Sequence, residues 1–316
     1  MERGALGVPP GKALTVKLCT FEVPGTDGAR VGLIEDDLVK VVDVADMRTL
    51  FERGLDTAEA SGEGVPLEGV HLCPPIIPKK FFHTAGNFRE HHEEGQEAGW
   101  SHDIAPWIQF FQNVDALIGN GDPIIYPEEL TSELDYELEL AVVVSKSGKF
   151  FTPEEADSYI GGYVIFNDIT ARDIQRKEME SGVFSFCKAI DTFCPLGPWI
   201  TTADEVPDPH DLKMDLYVNG ELRQDGHSER MTPSVGEVLA HYSPAGYSAG
   251  DVVSLGTVSG VAAFSANPEA WYLKPGDVIE ARIERLGTLT NPVIAWADRD
   301  QTREPALVGA TAGADK

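Results

Sequence analysis

The segment DYELELAVVV, residues 135–144, is the feature that most restricts how this chain can fold. Successive side chains of a β-strand point to opposite faces, so the segment has one wholly apolar face and a second face that begins with Glu137 and Glu139. The second face continues as Ala141 and Val143, and a strand that is apolar on both faces is typical of the centre of a covered sheet. The pattern therefore predicts a central strand that carries two carboxylates.

Two buried carboxylates need a partner, because an unpaired buried charge is strongly destabilising. Glu137 and Glu139 point the same way, roughly 7 Å apart along the strand, and one divalent cation would satisfy both. Asp168 ends a second segment that predicts a buried strand, GGYVIFND. Three carboxylates form an all-oxygen site, which suits Mg²⁺ or Mn²⁺, with Ca²⁺ as an alternative, better than Zn²⁺. The structural alternatives are a strand with one face in water and, for Asp168, a turn that closes its strand.

Three further residues have the chemistry of acid–base catalysis or of anion binding. His91 and Glu94 are three residues apart, so on a helical turn they are neighbours, and a carboxylate beside an imidazole raises its basicity. Lys188 lies in the apolar stretch FSFCKAIDTFCPLGP, where a lysine is held by a carboxylate or points into a cavity. The alternatives are a surface histidine–glutamate pair and a lysine whose stem packs while its amine reaches water.

Short strands dominate the rest of the chain, and this predicts an α+β, mostly β fold built on a sandwich, roll or barrel. Three prolines between residues 74 and 78 suggest a boundary near residue 75. We therefore expect a small N-terminal α+β domain over 1–75, a catalytic domain over 76–300 and a tail over 301–316. Residues 87–105 predict a short helix and a long loop, and Thr232 and Pro233 predict the start of a helix that ends near His241.

The charge of the chain restricts its partners. The sequence has 25 basic and 52 acidic residues, a net charge of −27, so binding to nucleic acid is not expected. The absence of a long apolar run or of a signal-peptide pattern predicts a cytoplasmic protein that does not bind membranes. Four scattered cysteines, none in a C-x-x-C pair, indicate reduced thiols rather than a zinc site. An anionic substrate would need a metal, lysine or arginine in the site.

Seven segments, in order, resemble the fumarylacetoacetate hydrolase superfamily over roughly residues 76–294. They are GNFREHHEEG, DYELELAVVV, NDITARDIQ, KAIDTFCPLGPWI, VNGELRQDG, SLGTVSG and LKPGDVIEARIERLGTLTNPV. The resemblance implies a mixed β-sandwich roll, a homodimer and Mg²⁺ or Mn²⁺ as cofactor. Within the superfamily, the sequence most resembles the bacterial acylpyruvate and fumarylpyruvate hydrolase-like members.

The same resemblance implies a role for each motif residue. Glu137, Glu139 and Asp168 match the metal ligands. His91 matches the catalytic base, Glu94 the residue that orients it, Gln175 and Lys188 the substrate- and oxyanion-contacting positions, and Thr257 a threonine that lines the site. The family's Gly-Lys-Ser-Phe is Cys187-Lys188-Ala189-Ile190 here, and Gly-Thr-Pro-Ala-Gly is Gly256-Thr257-Val258-Ser259-Gly260. Both departures lie near the expected substrate pocket.

These roles predict a metal-dependent hydrolase that cleaves a C–C bond in a small anionic 2,4-dioxo acid, releasing pyruvate and a carboxylic acid. Hydrolysis is favoured because both His91 and Glu94 are present. Decarboxylation, isomerisation, and hydration or dehydration of a 2-oxo acid remain alternatives at the same site, because they differ only in which proton moves and whether water reacts. A non-catalytic metabolite-binding protein is the alternative from another functional class.

Overall fold

The structure, a computed structural model, describes residues 17–99, 107–183 and 185–301. The strands of the first half are β1 (Lys17–Glu22), β2 (Arg30–Glu35), β3 (Leu38–Val42), β4 (Ala60–Pro66), β5 (His71–Cys73), β6 (Phe81–Ala85), β7 (Ile108–Phe111), β8 (Leu117–Ile118), β9 (Ile124–Tyr126), β10 (Leu134–Asp135) and β11 (Leu138–Val144). Those of the second half are β12 (Ile160–Asn167), β13 (Thr170–Ala171), β14 (Cys194–Thr202), β15 (Lys213–Val218), β16 (Glu221–His227), β17 (Val252–Thr257), β18 (Val278–Ile283) and β19 (Gly287–Ala295).

The α-helices are short and connect these strands. They are α1 (Met47–Arg53), α2 (Arg89–Glu97), α3 (Pro153–Ala156), α4 (Arg172–Met179), α5 (Val235–Tyr242) and α6 (Pro268–Trp271). Strands hold 39% of the residues and helices 26%, which confirms the mostly β prediction. Among the described residues, no helix combines the length and apolar character needed to cross a lipid bilayer.

Two mixed sheets form the sandwich. The larger has 12 strands along the path β4-β3-β2-β1-β14-β12-β11-β17-β6-β7, with β5 beside β1 and β8 beside β14. The smaller has five strands in the order β16-β15-β18-β19-β9, and β10 pairs with β13 in a separate ribbon. The arrangement confirms the predicted mixed sandwich roll, and within the described residues the sheets do not close into a barrel.

Strand β11 is covered on both faces, as its sequence predicts. Leu138, Leu140 and Val142 pack in the core between the two sheets, where they join the inward residues of β15 and β18. Ala141 and Val143 face the opposite side and pack in a second core, which includes α1. Because water reaches neither face, the carboxylates of this segment are buried with it.

The N-terminal strands continue the large sheet rather than forming a sheet of their own. Lys17 and Leu18 of β1 pair with Thr201 and Ile200 of β14. The boundary near residue 75 and the division into domains stay predictions. Residues 302–316, most of the predicted tail, lie outside the described residues.

The start of one helix differs from the sequence expectation, and a second predicted helix is confirmed. Helix α5 begins after Ser234, whose hydroxyl accepts a hydrogen bond from the Glu237 amide, so Thr232 does not cap it as predicted. Ser234 and Glu237 form a capping box, in which each side chain accepts a hydrogen bond from the other residue's backbone amide at the start of the helix. Helix α2 confirms the predicted helix within 87–105, whereas residues 100–105, most of the predicted loop, lie outside the described residues.

Candidate active site

The strand register of the large sheet determines where the predicted metal ligands lie. Glu139 of β11 stands opposite Phe166 near the end of β12, so Asp168, just beyond that end, reaches the same edge of the sheet. On the other side β17 lies between β11 and β6, and its Ser254 stands beside His83 of β6. The sheet therefore brings side chains from three separate parts of the sequence together.

His83, Glu139 and Asp168 form a buried cluster of potential metal ligands. One ligand atom from each residue lies within 4.8 Å of the others, and the three side chains are 1%, 1% and 0% exposed. Oδ1 of Asp168 is buried and has no hydrogen-bond partner among the described residues. Such a group is costly to bury unless something binds it, and two carboxylates with an imidazole are a donor set that fits a divalent cation.

Burial raises the pKa of Glu139, and the negative charges of Asp168 and Glu137 raise it further. His83 and a short hydrogen bond from the Ser254 hydroxyl oppose this shift only in part. The backbone amide of Gly256 also donates to Glu139, at 3.1 Å. The carboxylate is thus held in one orientation, but His83 alone does not offset its burial, and a bound cation would further favour the ionised form.

Glu137, the third predicted ligand, lies beside this cluster in an ion-pair network. Its Oε1 is 2.7 Å from the Arg172 guanidinium and its Oε2 is 2.9 Å from the Lys188 ammonium. Burial disfavours the ionised form, but Lys188 and Arg172 outweigh it and lower the pKa of Glu137. The structure therefore shows Glu137 as a carboxylate neutralised by protein cations, and its role as a metal ligand stays a prediction.

The ammonium group of Lys188 is buried and is surrounded by hydrogen-bond acceptors. Its ammonium donates to Glu137, to Asp168 through a short contact, and to the Thr170 hydroxyl at 2.7 Å. Burial would lower the pKa of Lys188, but Asp168 and Glu137 outweigh burial and raise it, so the amine is charged. The predicted alternative in which the amine reaches water is wrong, because the side chain is 3% exposed.

His91 and Glu94 lie on α2, and His91 lines a cavity together with Glu139 and Lys188. Nδ1 of His91 is 3.6 Å from Glu94, longer than a hydrogen bond, and the ring packs against Phe264 with centroids 5.2 Å apart. Both oxygens of Glu94 accept from the Gly260 amide, at 3.0 and 3.1 Å. Gly260 has a φ of +101°, and a Cβ there would lie 2.3 Å from a backbone oxygen, so only glycine fits this anchor.

Gln175 and Thr257 are held at the wall of the cavity. Gln175 accepts from Arg172 at 2.9 Å, and the Thr257 hydroxyl donates to the Leu138 carbonyl at 3.0 Å and accepts from Gln224. The cavity has a volume of about 30 Å³. Of the predicted site residues it is lined by His91, Glu137, Glu139, Gln175, Lys188 and Thr257.

The sequence analysis missed three residues of this site: His83, Arg172 and Asp135. Asp135 accepts from Arg172 at 2.8 Å and from the backbone amides of Ala262 and Ala263. The sequence held one signal for each of two of these residues. His83 is a polar residue within the short segment FFHTA, and Asp135 is a charged residue at the start of the apolar central segment. The sequence around His83 does not by itself reveal that strand β6 is covered on the side that carries this residue.

Comparisons with known proteins identify the family to which the chain belongs. The family model for the fumarylacetoacetate (FAA) hydrolase C-terminal region matches residues 80–294. Oxaloacetate tautomerase YisK of Bacillus subtilis is 38% identical over 227 residues, 71% of this chain and 72% of that protein. The mitochondrial oxaloacetate tautomerase fahd2 of Xenopus laevis is 32% identical over 299 residues, 89% of this chain and 91% of that protein.

The fold of this chain is also similar to solved structures of the same family. Fumarylacetoacetate hydrolase from Exiguobacterium antarcticum is 34% identical with a TM-score of 0.74, over 89% of this chain and 99% of that one. The sequence motifs, the sandwich, the buried ligand cluster and the family match over more than half of the chain lead to one conclusion: the chain belongs to the fumarylacetoacetate hydrolase family of enzymes.

Proposed function

We propose that this enzyme catalyses the enol–keto tautomerisation of a small 2-oxo acid such as oxaloacetate, with a divalent cation at the buried cluster. The observation that carries the proposal is that His91 shares one cavity with Glu139 and Lys188, and its Nδ1 makes no hydrogen bond with any described residue. An imidazole placed in this way is available to exchange a proton with a bound substrate.

The reaction needs one proton lost and one gained. In the enol-to-keto direction the C2 hydroxyl releases its proton to solvent, His91 donates a proton to C3, and His91 regains a proton from solvent, so no net proton is gained or lost. Lys188, charged and fixed at the wall of the cavity, stabilises negative charge on the C2 oxygen between these events. Gln175 and Thr257 line the same wall and orient the substrate. When bound, the cation would polarise the substrate's oxygen atoms as a Lewis acid.

The His91–Glu94 separation favours proton transfer over hydrolysis. Activating water requires a strong base, which a tight carboxylate–imidazole hydrogen bond would provide, but the two side chains stand 3.6 Å apart. A proton on C3 of a 2-oxo acid is already acidic, since the adjacent carbonyl delocalises the negative charge that remains. Two relatives named as oxaloacetate tautomerases, each covering more than two thirds of this chain, support the same reading.

C–C hydrolysis of a 2,4-dioxo acid is the second candidate, and one observation favours it. Glu94 is anchored by Gly260 and lies 3.6 Å from Nδ1 of His91, so a small rotation of the His91 side chain would complete the dyad. In that case His91 takes a proton from water, and the water attacks the C4 carbonyl. The solved hydrolase from Exiguobacterium antarcticum has the same fold.

An assay on two substrates separates the candidates. Enol-oxaloacetate and an acylpyruvate are each followed by the loss of their ultraviolet absorbance, with pyruvate release measured by a coupled lactate dehydrogenase. We expect metal-dependent acceleration of ketonisation and little pyruvate from the acylpyruvate. Faster release of pyruvate and a carboxylic acid than of keto product would assign the enzyme as a hydrolase instead.

Replacing Lys188 with methionine tests its role in charge stabilisation. Lys188→Met keeps the length of the side chain and removes the donor, so we expect turnover at saturating Mn²⁺ to fall by about 10²–10³-fold. Lys177→Met, an exposed lysine on α4, is the matched control and should leave turnover unchanged. A loss smaller than about threefold for Lys188→Met would limit this residue to a structural role.

Replacing His91 with alanine separates catalysis from metal binding. We expect His91→Ala to lower turnover by about 10²–10⁴-fold, as removal of a general acid–base does, with metal affinity unchanged. His92→Ala changes the next residue of α2, which contacts Gln96 at 3.0 Å, and serves as control. Calorimetric titration reports the metal affinity: its loss in His91→Ala would make His91 a ligand, and unchanged turnover would remove it from the mechanism.

A further inference from the structure

One carboxylate of helix α4 holds the backbone turn that carries Lys188. The turn is a single 3-10 turn over Phe186–Lys188, and the side chain of Ser185, which precedes it, makes no capping hydrogen bond. Both oxygens of the Glu178 carboxylate accept hydrogen bonds from successive backbone amides at 3.2, 3.0 and 3.0 Å, those of Ser185, Phe186 and Cys187. The first amides of a helical turn have no acceptor within the turn, and here Glu178 supplies one.

This attachment is charged and partly shielded from water. Burial alone would raise the pKa of Glu178, but the hydrogen bonds from Cys187, Phe186 and Ser185 outweigh burial and lower it, so the carboxylate is ionised. Hydrogen bonds to an ionised acceptor are stronger than those between neutral groups. Cys187 adds an apolar contact to the same helix, because its side chain is buried and packs in a small cluster with Met179.

The chain that connects α4 to the turn contributes little to holding it. Residues 181–183 are exposed, so this connection buries little surface. The ammonium of Lys188 is fixed at its far end by Glu137 at 2.9 Å and Thr170 at 2.7 Å. Its flexible four-carbon stem joins that end to the turn, so the position of the ammonium also depends on where the turn lies. A group that stabilises developing negative charge must be held close to its productive position.

We propose that Glu178 is a positioning residue that fixes Lys188 in the cavity through the backbone of the turn. The described residues that line the cavity do not include Glu178, so it acts on the substrate only through another side chain. Helix α4 also carries Gln175, which lines the cavity directly, so one helix positions two groups of the site. The inference rests on the proposed function only through the charge-stabilising role of Lys188, and it holds for either candidate reaction.

A double-mutant cycle on the Mn²⁺-saturated full-length enzyme tests this role, with whichever of the two substrates the wild type converts. We expect Glu178→Ala to lower kcat by about 10- to 100-fold with KM changed less than about threefold, because a displacement of about 1 Å removes stabilisation made only in the transition state. In the Lys188→Met background the same change should cost less than about threefold, because the group that Glu178 positions is gone. Glu180→Ala, an exposed glutamate two residues further on, is the matched control and should leave kcat unchanged.

Hydrogen–deuterium exchange without substrate adds a readout that does not depend on activity. The amides of residues 185–187 should exchange at least about tenfold faster in Glu178→Ala than in the wild type or in Glu180→Ala, because they lose their acceptor. Glu178→Gln keeps one acceptor oxygen and removes the charge, so it should fall between alanine and the wild type in both exchange and kcat. If the alanine variant does not fold, Glu178→Gln takes its place in the cycle.

The outcomes separate this inference from the proposed function. An equal loss of kcat in the wild-type and Lys188→Met backgrounds would show that Glu178 acts independently of Lys188, and it would overturn the proposal. Wild-type kcat in Glu178→Ala beside an impaired Lys188→Met would refute this inference alone and leave the proposed function intact. Wild-type kcat in Lys188→Met would refute both the charge-stabilising role and the inference built on it.

Discussion

Glu139→Gln is expected to abolish metal-dependent turnover while the fold persists. The amide keeps nearly the size and shape of the side chain and can still accept from Ser254 and Gly256, but it removes the negative charge that would bind a cation. Lewis-acid stabilisation contributes several kcal/mol, and each 1.4 kcal/mol is tenfold in rate, so we expect a loss of about 10³-fold or more.

Metal titration and turnover in chelator-washed buffer, followed by defined additions of Mn²⁺, measure this loss. Glu129→Gln makes the same chemical change at an exposed position and should behave as wild type. Circular dichroism should be unchanged in both variants. Wild-type turnover by Glu139→Gln after chelation would show that the buried cluster is not the catalytic metal centre.

Arg172→Met is expected to cause the largest loss of stability. Arg172 is buried and binds Asp135 at 2.8 Å and Glu137 at 2.7 Å, so its removal leaves Asp135 without a cation and Glu137 with Lys188 alone. Breaking a buried ion pair by removing one partner costs about 3–5 kcal/mol, because the remaining charge stays desolvated. The free energy of unfolding should fall by about that amount.

Arg176→Met is the matched control on the same helix. Arg176 pairs with Glu133 at 2.5 Å, but its side chain is 45% exposed, so the pair contributes about 0–1 kcal/mol. Urea unfolding without metal, with the slope compared between variants, measures both changes. A loss for Arg172→Met as small as that for Arg176→Met would mean that Asp135 and Glu137 do not depend on the guanidinium.

Much of the fold follows from local patterns. The alternation in β11 predicts both of its covered faces, and Asn219-Gly220 predicts the β15–β16 hairpin, where both residues have a positive φ. The capping of α5 was placed two residues early, because Thr232 and Ser234 are both good cap residues and only the backbone decides between them. Pairing of β1 with β14 joins residues some 180 positions apart, which no local pattern specifies.

The sequence predicted those residues of the candidate site that stand out within a single local motif. Glu139, Asp168, His91 and Lys188 stand out as polar residues in apolar segments or as pairs at helical spacing. The place of His83 and Arg172 in the site becomes evident only from their partners in the folded chain. His83 contacts Asp168, and Arg172 contacts Asp135. Long-range strand order, which sequence periodicity does not encode, accounts for both omissions.

The most direct test of the central claim is proton exchange at C3 of oxaloacetate in heavy water, followed by nuclear magnetic resonance. With Mn²⁺ or Mg²⁺ we expect deuterium to enter C3 faster than without enzyme, and this excess to vanish with chelator and in His91→Ala. Exchange at the uncatalysed rate, together with rapid metal-dependent cleavage of an acylpyruvate by the same preparation, would contradict the account and assign the enzyme to C–C hydrolysis.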